Sequence, residues 1–503
     1  MDILESIINF GITNPDETAI CHKNQNITYG TLIRQMNAVS KEIIELKKSI
    51  GSKQTPVVIL GERGIEFIVS ILGVLQSGNY YIPLEMPHMQ TRFDQINQQL
   101  DNYIVISLHD YDFLSKYELK YLIKYIDINF NCDNTQYWKK LAPDELCYVI
   151  YTSGTKSVPK GAMIRYESLC NLVSNFLKNI YSKFDSKVSV GVLSSFSFDA
   201  SIKQIFGALC HGHNLVISQN EDKLFSLRMQ RLFEKHNIRV IDGTPSIYKL
   251  LMKKPKTGNW RIQTFLIGGE LLKQDFIDSF MNFLNYECEI INVYGPTECC
   301  VDASYFVVNT SEKTYDNIVP IGNPIPNAHF HIHNETGELI TSDNVAGELY
   351  ISGVLVGDGY LMNPNSKSFY NCHTYGRTYR TGDLAIRTSS GEYVVLGRID
   401  DQVKYNGNRL ELSEVEEVIS DIVKQDTVVC ITKENDFDVL YAFIFEEESH
   451  TNIPETIVIN ECRKTLPNYC IPRKVMYIGK DTPITNNGKI DRNNLINKYL
   501  KKE

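Results

Sequence analysis

The sequence predicts an α/β protein: a large N-terminal domain of two α/β layers with a small β-barrel-like piece, and a small α+β C-terminal domain. Three observations predict it. Short apolar runs alternate with helix-length segments from the N-terminus to about residue 300, the pattern of parallel strands joined by right-handed helical crossovers. Beyond that point the texture changes to strands with apolar–polar alternation and turn signals between them. After Asp400-Asp401 the last stretch of about a hundred residues reads as a compact helix–strand–strand–helix unit. The expected boundaries are 1–399 and 400–503.

The elements follow in order. Leu4–Phe10 is amphipathic and helical. Pro56–Leu60 and Tyr103–Ser107 are apolar enough for buried strands, and Glu66–Gln76 between them has helical length and period. Cys147–Tyr151 is a further buried strand, and a helix begins near Tyr166. Strands are then expected at 188–193, 214–218, 238–241, 264–267 and 290–294. The alternating group comprises 303–308, 329–333, 347–352 and 391–397. In the C-terminal domain a helix over 412–423 precedes strands at 428–431 and 439–444, and a second helix runs over about 454–466.

Composition bounds the function. A chain of 503 residues with 43% hydrophobic and 22% charged content is an ordinary globular protein of two or more domains. A net charge of -9 argues against general nucleic-acid affinity and against a basic membrane-binding face. No apolar run of about 18 residues suggests a membrane span, and Met1-Asp-Ile-Leu-Glu-Ser does not read as a signal peptide. The 12 cysteines are scattered, with no Cys-x-x-Cys, as in a reduced cytoplasmic protein and not a disulfide frame or zinc site.

One loop carries unusual chemistry. Tyr151-Thr-Ser-Gly-Thr-Lys-Ser-Val-Pro-Lys-Gly161 leaves the strand at 147–151 with four Ser/Thr hydroxyls, two glycines and two lysines. Glycine backbone and hydroxyl donors beside lysine charge suit a polyphosphate cradle. The spacing is not that of a Walker loop, and by itself the segment reads equally well as a polar loop.

The order of the motifs separates these alternatives. Phe198-Asp-Ala-Ser201, Gly268-Gly-Glu270, Tyr294-Gly-Pro-Thr-Glu298, Tyr379-Arg-Thr-Gly-Asp383, Gly397-Arg-Ile-Asp400 and Asn487-Gly-Lys-Ile-Asp-Arg492 follow the loop in turn. Together they resemble the adenylate-forming superfamily, and within it the amino-acid adenylation domains of nonribosomal peptide synthetases. The resemblance runs from about Ile27 to Arg492. It implies a two-step reaction: ATP and a carboxylic acid form an acyl-adenylate and pyrophosphate, and a phosphopantetheine thiol then takes the acyl group. Catalysis of that first step is mostly positioning and charge neutralisation.

The resemblance also implies roles. Thr152, Ser153, Gly154, Thr155 and Lys160 would hold the β- and γ-phosphates of ATP. Here the sequence departs from the family, with Lys156-Ser157 in place of Thr-Gly, which stiffens the loop and adds a charge. Glu298 would ligate Mg²⁺, a hard cation suited to carboxylate and phosphate oxygen, with Thr297 on the α-phosphate. Tyr294 would offer its ring to the adenine, with Gly268 and Gly269 forming the other flat wall, where backbone without side chains approaches closely; Gly295 and Glu270 would also belong to the nucleotide site. Asp383 would accept the ribose hydroxyls and Arg398 would reach ribose or phosphate. Lys489 would enter from a mobile C-terminal domain to neutralise charge on the α-phosphate. Asp400 would be the hinge, and Gly407 would line the pantetheine tunnel.

The acid is addressed by ten positions: Asp199, Ala200, Lys203, Asp242, Leu266, Gly268, Val293, Val301, Asp302 and Lys489. Asp199 matches the aspartate that anchors an α-ammonium group, which favours an amino acid over an aryl or fatty acid. The whole pattern resembles the one associated with L-glutamate. Lys203 can meet a side-chain carboxylate, while Asp242 and Asp302 either orient that lysine or bond a protonated or amide group. Glutamine and basic amino acids therefore stay open. No carrier attachment motif follows Arg492, so the acceptor is expected on a separate carrier protein. The rival functions are an acyl-CoA ligase of the same fold and a nucleotide-binding regulatory protein with impaired catalysis.

Overall fold

The structure is a computed structural model that describes residues 2–86, 89–130, 138–152, 159–308, 314–363, 366–400, 402–405, 408–434, 437–445, 452–479 and 492–500. The chain divides into two compact units. One comprises Met1–Tyr151 and Gly161–Ile399, the other Thr152–Lys160 and Asp400–Glu503. The segment Thr152–Lys160 thus groups with the second unit, although the linear boundaries place it in the first.

The first unit contains two α/β sheets. The larger has nine strands, in the order Asn323–Pro324, Ser304–Val307, Glu289–Tyr294, Thr264–Gly268, Ile238–Gly243, Ser189–Val192, Asn214–Ile217, Thr18–His22 and Gln25–Thr28. Its six central strands run parallel, and antiparallel strands close both edges. Both faces are buried, because alternate residues of each strand enter different cores. Ile20, Leu215, Val240, Leu266 and Ile291 join one core with helices Ile3–Thr13, Tyr29–Lys47, Ile65–Gln76 and Ala200–Cys210. Cys21, Val216, Ile241, Phe265 and Ile290 join another with helices Ser226–Lys235, Pro245–Met252 and Gln274–Leu284. This two-sided burial explains why the strands read as continuous apolar runs. The carboxyl ends of the parallel strands all face one edge, the usual place for a ligand in an open α/β sheet.

The second sheet has six strands, ordered Leu122–Lys124, Ile104–Ser107, Pro56–Gly61, Tyr80–Glu85, Leu146–Thr152 and Lys160–Arg165. The expected strands Pro56–Gly61 and Ile104–Ser107 pair in parallel. Between them in sequence lies Tyr80–Glu85, a strand that sequence reasoning missed because Pro83 interrupts it. Proline cannot donate to a ladder and ordinarily demotes a strand. Here Pro83 faces Ile59, while the register with Leu146–Thr152 is confined to Tyr81 opposite Tyr148, so little pairing is lost on that side.

The alternating group forms a five-stranded antiparallel sheet: Ala328–His333, Gly347–Gly353, Gly376–Arg387 and Phe369–Cys372 in line, with Tyr393–Arg398 also paired to Gly376–Arg387. In the second unit a hairpin, Gln402–Tyr405 with Asn408–Glu411, precedes helix Leu412–Val423. A three-stranded sheet of Thr427–Glu434, Phe437–Phe445 and Lys474–Ile478 follows, with helices Glu455–Thr465 and Arg492–Tyr499. Val415, Ile419, Leu440, Ala442 and Val458 form its core. Among the described residues no helix is long and apolar enough to cross a membrane.

Candidate active site

The positions expected to address the acid begin on the first turns of helix Ala200–Cys210. Asp199 is its N-cap residue, but its carboxylate makes no N-cap hydrogen bond and instead meets the Thr297 hydroxyl. Burial pushes this carboxyl up from the ordinary range, with the Thr297 hydroxyl and Lys203 opposing. Lys203 lies one turn further on, where spacing of four residues puts it on the same helix face. Its ammonium is buried and sits 3.0 Å from Asp242 Oδ1 and 3.0 Å from Asp302 Oδ1. Burial works against the charged lysine, but the two carboxylates outweigh it and its pKa is raised.

The strand ends bring the other positions into register. Asp242 lies opposite Leu266 across one parallel pair, and Gly268 lies opposite Val293 across the next. Gly268 is obligatory there: a Cβ would stand 2.6 Å from Val293 O and 2.7 Å from Val293 Cγ2. Asp242 is held from both sides, since its Oδ2 accepts Gln204 Nε2 at 2.7 Å. Gln204 also binds Ser194 Oγ at 2.9 Å.

Tyr294-Gly-Pro-Thr-Glu298 leaves strand Glu289–Tyr294 and turns back sharply. Cys300 and Val301 both take positive φ, 54° and 74°, and for a β-branched residue that conformation is strained. The turn is closed by Ala303 N donating to Tyr294 O at 2.7 Å. This geometry delivers Val301 and Asp302 beside Lys203, and buries Glu298 completely. Tyr360, from the loop after the antiparallel sheet's second strand, donates its hydroxyl to Glu298 Oε1 at 2.5 Å.

The third group lies where strands Gly376–Arg387 and Tyr393–Arg398 pair Asp383 with Arg398. Asp383 Oδ1 accepts Arg398 Nη1 at 3.0 Å, and Oδ2 accepts the Tyr294 hydroxyl at 2.5 Å. Tyr294 is therefore engaged by its hydroxyl, while its ring packs edge-on to Phe330. Gly269 takes φ 78°, and Glu270 Oε2 accepts the Ser246 hydroxyl at 2.8 Å.

Hydrogen bonds and ion pairs thus link Lys203, Asp242 and Asp302 in one set, Tyr294, Asp383 and Arg398 in another, and the Asp199–Thr297 contact joins the pocket to the Glu298 turn. Thr152 and Lys160 belong to the other unit, where Thr152 Oγ1 donates to Lys160 O at 3.4 Å and Lys160 Nζ lies 3.1 Å from Glu411 Oε1. Asp400 is exposed. Ser153, Gly154, Thr155, the Lys156-Ser157 departure, Gly407 and Lys489 lie outside the described residues. Sequence reasoning missed Gln204 and Tyr360. Gln204 adjoins Lys203 on the helix, so its proximity was visible though its partner was not; nothing local marks Tyr360.

A model of the family described as AMP-binding enzyme matches residues 12–361. The chain belongs to that family. Its membership places this AMP-binding enzyme among AMP-forming ligases. It is 33% identical over 494 residues to bacitracin synthase 1 of Bacillus licheniformis, covering 96% of this chain and 9% of that protein. The chain therefore spans a small fraction of that relative's length. It is 29% identical to zwittermicin A synthase ZmaJ of Bacillus cereus, with 96% of this chain and 92% of that protein covered. The AMP-binding enzyme also shares its α/β fold with the solved structure of PA1221, a protein containing adenylation and PCP domains. The TM-score is 0.83 at 21% identity, over 100% of this chain and 98% of that one.

Proposed function

We propose that this AMP-binding enzyme activates an α-amino acid, L-glutamate, by joining it to the AMP moiety of ATP, and passes the aminoacyl group to the phosphopantetheine thiol of a carrier protein. The observation that carries the proposal is the buried Lys203, held between Asp242 and Asp302 one helical turn after Asp199. Asp199 receives the α-ammonium group, and Lys203 lies deeper to meet a side-chain carboxylate. A fatty acid would leave the Asp199 carboxylate without an α-ammonium partner, at the cost of desolvated, unanswered charge.

A substrate carboxyl oxygen then attacks the α-phosphorus, the bond to the β-phosphate oxygen breaks, and pyrophosphate leaves. Asp383 is available to the ribose hydroxyls, since each carboxylate oxygen retains a further lone pair beside its present partner. Glu298 and Thr297 fit a Mg²⁺-phosphate site. The glutamate is a fully buried oxygen donor oriented by Tyr360, and Mg²⁺ is ordinarily bound through one or two carboxylates plus phosphates. When bound, the ion neutralises phosphate charge. Among the described residues there is no all-protein cage of three or more His, Cys, Asp or Glu. The carrier is proposed by analogy with PA1221, an NRPS protein containing adenylation and PCP domains.

Pyrophosphate exchange over a panel of amino acids tests the proposal. Glutamate is expected to stimulate exchange well above glutamine, ornithine and lysine, and fatty acids not at all. Equal rates for these four amino acids would remove glutamate, and exchange with fatty acids alone would remove amino-acid activation altogether.

A further inference from the structure

The acid pocket holds more negative charge than its lysine answers, and its two deep aspartates are not equivalent. Both place one oxygen 3.0 Å from Lys203 Nζ. Asp242 has its second oxygen satisfied by Gln204 Nε2 at 2.7 Å. Asp302 has not: among the described residues its Oδ2 is buried without a hydrogen-bond partner. A bare carboxylate oxygen in such a place forfeits its water with nothing in return. A proton there removes the charge and converts an orphan acceptor into a donor.

We propose that Asp302 carries a proton on Oδ2 when glutamate is bound and donates it, as a hydrogen bond, to the substrate's side-chain carboxylate. That carboxylate is then received by a neutral acid and by Lys203 together. The inference rests on the glutamate reading above and adds to it a specificity residue with a defined protonation state.

Charge accounting supports it. With every group ionised, Asp199, Asp242, Asp302 and the substrate side chain set four anions against two cations, Lys203 and the α-ammonium group. One proton reduces the excess to a single charge. The groups facing Asp302 are Lys203 on the helix, Asp242 on its strand end, Asp199 at the helix cap and the Cys300 thiol in its own turn. Burial pushes that thiol up to about 12, so it stays neutral. Burial likewise pushes the Asp302 carboxyl up to about 6, with Lys203 opposing and Asp242 reinforcing. The proton comes from solvent, and no covalent bond other than that O–H is made.

The test is the pH dependence of the KM for glutamate in pyrophosphate exchange, from about pH 6.5 to about pH 8.5, in the intact protein. Over this range glutamate's carboxylates stay ionised, and any titration of its α-ammonium group is shared with glutamine and cancels in the comparison between the two. Wild type is expected to lose up to tenfold in glutamate affinity per pH unit as the required proton becomes scarcer, with no such slope for glutamine. In Asp302→Asn the slope should vanish, whatever the variant's level of activity, because an amide has no proton to lose. If Asp302 merely orients Lys203 as a carboxylate, the wild-type KM will be flat with pH, and that overturns the inference while leaving glutamate as substrate. Should Asp302→Asn not fold, the wild-type slope decides alone. Absence of glutamate exchange at every pH, with another amino acid accepted, overturns the substrate reading and this inference with it.

Discussion

Arg63 and Glu85 approach to 3.9 Å, with side chains almost wholly excluded from water, and together they grip the peptide that leads into Asp199. Glu85 ends strand Tyr80–Glu85 of the six-stranded sheet, yet its Oε2 accepts Phe196 N at 2.6 Å and the Ser195 hydroxyl at 2.9 Å. Arg63 donates to Ser194 O at 2.5 Å and to Leu193 O at 3.3 Å. Ser194 in turn binds Gln204, and Gln204 binds Asp242. The second sheet thereby positions the acid pocket of the first.

Glu85→Ala should therefore destabilise the protein strongly. It leaves the buried Arg63 without its carboxylate and frees the 193–197 segment, a change of about 3–5 kcal/mol for a broken buried pair. Urea unfolding measures the loss. In Glu85→Gln, which keeps an acceptor for Phe196 N, the KM for the amino acid should rise more than the KM for ATP. An equal rise in both would argue that the clamp is only general scaffolding.

Lys203→Ala should abolish glutamate activation, with exchange at least about a hundredfold down, a loss of order 2–3 kcal/mol or more. It strands Asp242 and Asp302 facing each other with no cation between them. A folded variant that still prefers glutamate would contradict the assignment of its side chain to Lys203.

Gly295→Ala tests the strained turn. A methyl group there would lie 2.7 Å from Ala303 N and 2.9 Å from Asp302 Cα, both backbone atoms. The segment must move, and Asp302 with it. Overpacking of this kind costs about 1–3 kcal/mol. The expected result is a folded protein of lower melting temperature whose exchange activity falls by more than its stability loss explains, as read by thermal denaturation alongside kinetics.

Stability should carry the mark of Asp302 as well. Its folded pKa, about 6, lies above the ordinary aspartate value of about 3.9. A raised acid favours the folded state most at low pH, below its unfolded pKa, and that contribution is lost as pH rises through about 6. Buried His22 and His213 and half-buried His331, each lowered to about 4 by desolvation, act in the opposite sense over nearly the same window. The observable is therefore a difference: from about pH 4 to about pH 7, wild type should lose stability relative to Asp302→Asn. Parallel curves for the two proteins would exclude a raised Asp302.

Much of this was legible in the chain. The parallel strands were visible because burial on both faces makes them continuous apolar runs, as in Thr264–Gly268. Tyr80–Glu85 was hidden by Pro83, whose cost depends on which neighbour needs the missing N–H, a matter of sheet order. The pocket positions, Asp199 and Lys203 among them, were named only through the resemblance that the motif order carries. Gln204, Tyr360, Arg63 and Glu85 were not, since their partners lie in distant parts of the sequence and no local pattern announces them.

The amino-acid sequence by itself determined the alternation of strands and helices, the order of the motifs and the presence of three aspartates and one lysine among the pocket positions that the structure describes. Only the tertiary structure decided which carboxylate oxygens that lysine reaches and which one is left without a partner. The reason is physical: propensity and periodicity act between near neighbours, whereas Lys203, Asp242 and Asp302 meet because parallel strands and a strained turn bring remote segments within 3.0 Å of one ammonium group.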